Sequence, residues 1–141
     1  MTKDALTAAY LEKAWVRFQA LLFYKEKGAY SDVVREAQEM VELLLKAVLR
    51  SIGAEVPKVH DVGRALEKHR HLLPSPLQKC LGEIKRISKR LRKERELSFY
   101  GADDFIPTEE YTVEDAEKAI ADAEYVLAAV RAAFEPVSGG D

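Results

Sequence analysis

The chain has 141 residues, 48% of them hydrophobic and 33% charged, with a formal net charge of -2. That suits one domain with a core, because a chain of this size buries about 68–70% of its unfolded surface; the mild charge alone implies neither nucleic acid nor membrane as partner. A single cysteine, Cys80, excludes a disulfide framework within the chain, and without a Cys/His ligand set no metal or cofactor is expected, which suits a reducing cytoplasm.

The first ten residues carry charge and no long apolar run, so neither a signal peptide nor a membrane span is expected. A first long helix is predicted over residues 4–27. Leu6, Tyr10, Leu11, Ala14, Phe18, Leu21 and Leu22 keep helical spacing, and Trp15, Phe23 and Tyr24 widen the apolar surface. Gly28 stops it, as glycine does one residue past a helix end. A second helix is predicted over 31–52, with Ser31 as N-cap and Asp32 at the positive end. Its apolar face, from Val33 to Ile52, is broad enough for the central helix of a bundle. Glu42 and Lys46 sit at the margin of that face, acid first and four apart, as either a surface ion pair or the rim of a site.

Gly53 to Lys58 reads as a turn. A short helix follows over 61–69 with Val62, Ala65 and Leu66 inward, and His60 stands before it, placed to reach its free N–H groups. The next long helix is predicted over 76–99, with Ser75 as N-cap. Leu77, Cys80, Leu81, Ile84, Ile87 and Leu91 form its apolar stripe, and Cys80 reads as a small buried hydrophobe. From Lys79 to Glu96 there are eight basic and three acidic residues, whereas Ala102 to Asp141 holds two and eleven. The apolar stripe continues through Arg95 and Ser98. A charge there is ordinarily a dipole partner or a stem covering apolar surface. The sharper reading is a phosphate or carboxylate site where bundle ends or two subunits meet.

A loop of about a dozen residues follows Tyr100, with Phe105, Ile106 and Tyr111 as anchors. The last helix is predicted over 113–134, opened by a shortened capping box of Thr112 and Asp115. Its inner stripe is Ala116, Ala119, Ile120, Ala123, Val126, Leu127, Val130 and Phe134. The prediction is an all-α, five-helix antiparallel up-and-down bundle with four long helices and one short. One domain covers residues 1–135, with a disordered tail over 136–141.

The run from Arg35 to Leu66, with Glu42 leading to Lys46-Ala47, then Gly53, Pro57 and His60, resembles the front half of a HEPN domain. The resemblance implies a small prokaryotic, cytoplasmic helical bundle, commonly encoded beside a minimal nucleotidyltransferase in toxin–antitoxin-like pairs. It also implies a homodimer, with sites between subunits, and in many members a metal-independent ribonuclease. Those members carry an arginine followed after four to six residues by histidine and often a nearby tyrosine. The matching segment here is RKERELSFYG. Aligned on Tyr100, the histidine position is Ser98 and the arginine Arg92; aligned on Arg95, the position falls at Tyr100. No histidine lies on this helix under either reading. Serine does not titrate near neutrality and tyrosine does so near 10, so the proton-transfer group of the family reaction is missing.

Three readings follow. The first is a non-catalytic module that dimerises and binds a minimal nucleotidyltransferase, with or without RNA or nucleotide in a groove for which Arg92, Arg95, Tyr100, Glu42 and Lys46 are the candidates. The second is a ribonuclease with a divergent motif that uses Arg95 and Tyr100, with Glu42 as a further participant and Ser98 at the histidine position. The third is a plain adaptor bundle in which Arg95 is only packed.

Overall fold

The computed structural model describes residues 5–57, 62–99 and 111–134, and for 94–99 it describes the backbone helix alone. Five α-helices make up the described fold: α1 (Ala5–Glu26), α2 (Tyr30–Ser51), α3 (Val62–Lys68), α4 (Ser75–Phe99) and α5 (Val113–Phe134). A 3₁₀ turn, Arg70–Leu72, joins α3 to α4, and no strand occurs among the described residues.

Two glycines set the first two helix ends. Gly28 (φ 75°) and Gly53 (φ 77°) are left-handed, a region that costs residues with a Cβ roughly 1–2 kcal/mol. After α1 the Ala29 N–H reaches Tyr24 O at 2.9 Å and Gly28 N–H reaches Lys25 O at 3.0 Å. After α2, Ala54 bonds Leu49 O and Gly53 bonds Arg50 O in the same way. Both are Schellman closures, which satisfy carbonyls the helix end leaves open.

The starts of α2 and α4 correct the sequence reading. Val33 N–H donates to Ala29 O at 3.1 Å, so α2 starts ahead of Ser31 and Ala29 is its cap. The Schellman turn leads straight into the helix and leaves no capping role for the serine. Leu77 and Gln78 N–H both reach Pro74 O at 3.0 Å. Ser75 is therefore the first helical residue, and Pro76 the second, where an N–H has no intrahelical partner anyway. The box before α5 does form: Thr112 N–H donates to Asp115 Oδ2 at 2.9 Å, and Asp115 N–H returns to Thr112 Oγ1 at 3.2 Å.

α2 is the central element and packs against α1, α4, α5 and α3. Val33, Met40, Leu44, Leu45, Val48 and Leu49 bury its face almost completely, each worth about 1.5–3 kcal/mol of transfer free energy. α4 contributes Leu77, Leu81, Ile84, Ile87 and Leu91; α5 contributes the alanines, Val126, Val130 and Phe134. Tyr111 joins this core as the expected anchor. α1 corrects the reading again. Its inner line is Thr7, Ala14, Phe18 and Leu21, and Leu6, Leu22 and Phe23, counted as apolar face from sequence, point to solvent. Cys80 is half-buried rather than enclosed, with Sγ 3.2 Å from Pro76 O, and burial pushes its thiol up.

His60, the loop anchors Phe105 and Ile106, and the tail 136–141 lie outside the described residues.

Candidate functional site

α4 has two faces because its apolar residues recur every three or four positions and its cations fill the gaps. The apolar face is sealed against α2 and α5. The opposite face, with α3, forms an open groove of about 580 Å³. Arg64 of α3 and Lys85, Arg86, Lys89 and Arg92 of α4 line it, and Gly63 and Gly82 give it a floor without side chains. Lys85, Lys89 and Arg92 climb the helix a turn at a time, with steps of roughly 5–6 Å.

Glu67 and Glu83 each reach a groove cation. Glu67 of α3 accepts from Lys85 Nζ at 3.1 Å and from Arg70 at 3.3 Å. Lys85 first, then Arg70, holds the Glu67 carboxyl below its ordinary range. Glu83 pairs with Arg86 at 2.8 Å. These side chains are all more than a third exposed, so solvent screens the pairs and leaves them weak.

A second, tighter arrangement stands between α4 and α5. Arg90 holds Asp122 through two hydrogen bonds, Nη2 to Oδ1 at 2.9 Å and Nε to Oδ2 at 3.1 Å. Asp122 is only 9% exposed. Val34, Leu91 and Tyr111 surround the pair in a cleft of about 110 Å³. That volume suits a structural clamp better than a ligand site.

Of the residues singled out from sequence, Arg92 lines the groove. Arg95 and Ser98 lie on the described helix of α4, but their side chains, and all of Tyr100, are outside the described residues. Glu42 and Lys46 are half-buried on α2 and do not line the groove. Glu42 accepts from Gln38 Nε2 at 3.3 Å, one turn earlier, in place of the expected pair with Lys46. Sequence reasoning missed Arg64, Lys85, Arg86 and Lys89 as groove residues and Asp122 as the partner of Arg90. The available signal was the charge excess of residues 79–96, and for Asp122 a lone acid beside an alanine-rich inner stripe. Among the described residues, no three His, Cys, Asp or Glu side chains cluster as metal ligands. No helix there is long and apolar enough to cross a membrane.

A bundle organised on α2, with a basic groove along α4, defines the class as a small all-α domain. The chain matches the family model of the HEPN domain over residues 7–133, and it belongs to that family. No curated protein and no solved structure matches it.

Proposed function

We propose that this HEPN domain is a non-catalytic, homodimeric partner module that holds RNA by its phosphates along the α3–α4 groove. In this reading it is one half of a toxin–antitoxin-like pair, with a minimal nucleotidyltransferase as the other. Family membership is what supports the pairing and the dimer, and the chain's own residues are what support the ligand. The observation that carries the reading is the row of five cations on one open groove, on a helix that has no histidine.

The chemistry runs in order. Lys and Arg neutralise phosphates and release counterions, which gives affinity without sequence preference. Glycine at two floor positions admits a sugar–phosphate backbone close to α3 and α4. Among the described residues no aromatic side chain lines the groove, so bases have no platform to stack on there and the contact is with backbone. Without a group that titrates near neutrality on α4, proton transfer at the 2′-hydroxyl has no agent, and the RNA is held rather than cut.

The test is a salt titration with labelled single-stranded RNA. If three cations each neutralise one phosphate, log K falls with a slope of about −2, or ~20-fold between 50 and 200 mM salt. Lys89→Glu should weaken binding and flatten the slope by about one, while Lys118→Glu, exposed on α5 and outside the groove, should leave both unchanged. Equal losses for the two variants would remove the groove from the account. Binding of mononucleotides as tight as that of RNA would make the ligand a nucleotide.

A further inference from the structure

The lower end of the groove holds an anion of the protein's own. Glu67 reaches across from α3 to α4, where Lys85 Nζ donates to its Oε1 at 3.1 Å. From another side Arg70 Nη1 donates to both carboxylate oxygens at 3.3 Å. That arginine is itself fixed, because its Nη2 donates to Gln78 O at 3.3 Å in the first turn of α4. Gln78 in turn ties the connection to α4, with Nε2 donating to Leu73 O at 2.8 Å. A carboxylate joined to cations from two elements belongs to a network and has a set position, unlike one end of an isolated surface pair.

The neighbouring cations are held differently. Arg86 pairs with Glu83 three residues away on its own helix and is 67% exposed, so its partner moves aside at little cost. Lys89, one turn above Lys85, is in no ion pair among the described residues. A phosphate arriving at Lys85 meets a carboxylate of like charge, and like charges brought together at an interface are disfavoured. Carboxylate and phosphate oxygens are acceptors of the same kind for an ammonium group. The two therefore compete for one donor.

We propose that Glu67 is a built-in competitor for phosphate, held in place by Arg70 and occupying Lys85, so that RNA engages the upper groove around Lys89 and Arg92. The inference rests on the RNA reading of the groove and gives that site a regulating residue. The groove then has a direction. Its upper end takes phosphate, and Lys85 joins only when Glu67 is removed or displaced. Affinity and salt dependence both stand below what all the lining cations together would give.

The test is the salt titration of the full chain with labelled single-stranded RNA, run as a double-mutant cycle on Glu67 and Lys85. Glu67→Gln keeps the size of the side chain and removes its charge, and circular dichroism checks that the helices persist. It should raise affinity about five-fold at low salt and steepen the slope of log K by about 0.7, the share of one more phosphate on a single strand. Removing an acid near a basic groove also helps through its field alone, and the cycle separates the two effects. In a Lys85→Gln background, Glu67→Gln should leave the slope where it was and raise affinity by about two-fold or less. The full gain persisting without Lys85 overturns the competitor and keeps the groove, as does no gain from Glu67→Gln while Lys89→Glu still weakens binding. RNA binding that neither Glu67→Gln nor Lys89→Glu alters overturns the groove reading itself.

Discussion

Asp122 is the residue whose role is clearest in the structure and least evident beforehand. It sits at 9% exposure among alanines, and a carboxylate there is tolerable only because Arg90 meets both its oxygens. Removing one partner of a buried pair costs about 3–5 kcal/mol; Arg90 is about a third exposed, so solvent screening lowers the expectation to roughly 1–3 kcal/mol. Asp122→Asn should lose that much in urea unfolding with an unchanged m-value. A loss no larger than that of an exposed α5 substitution such as Glu124→Gln would show that the pair is not a clamp. The groove residues were hard to find for the opposite reason. Arg86 and Lys89 each look like one more solvated cation, and only the approach of α3 makes a groove of them. Arg92, named for the family motif, stands on the groove, whereas Glu42 and Lys46, named for their spacing, stand on α2 away from it.

At the scale of elements the sequence was far more legible. All five predicted helices occur, with ends within a residue or so of those expected from glycine, proline and apolar period. The errors lie where two local signals compete. Ser31 and Ser75 are good capping residues, yet the Gly28 turn and the Pro74 carbonyl start the helices before either serine can act. The second closure gives a prediction. Gly53 has open space where a Cβ would stand, so Gly53→Ala should act through its left-handed backbone alone. That should cost roughly 1–2 kcal/mol and lower the melting temperature by a few degrees, read by calorimetry. An unchanged melting temperature would mean that the end of α2 rearranges freely. α1 was misread in part because it has more apolar residues than its inner face can cover. Helical period identifies one stripe but not whether the remainder faces a partner.

At the scale of the molecule, three surfaces divide the work. α2 collects the core, α4 turns its cations outward beside α3, and α1 turns an apolar line outward on a different side. Fold and family were legible because they rest on patterns spread along the chain, and the family match spans nearly all of it. The proposed function rests on two local features, a basic groove and a helix without histidine. The account stands or falls on whether bound RNA stays whole. The direct measurement is a native gel of end-labelled RNA incubated with the pure protein in a chelating buffer, then denatured and run again. The account predicts a shifted band on the first gel and full-length RNA on the second, because general acid–base catalysis, typically worth about 10²–10⁴-fold, has no residue to supply it on α4. RNA cut by the wild type and spared by Arg95→Ala would contradict it.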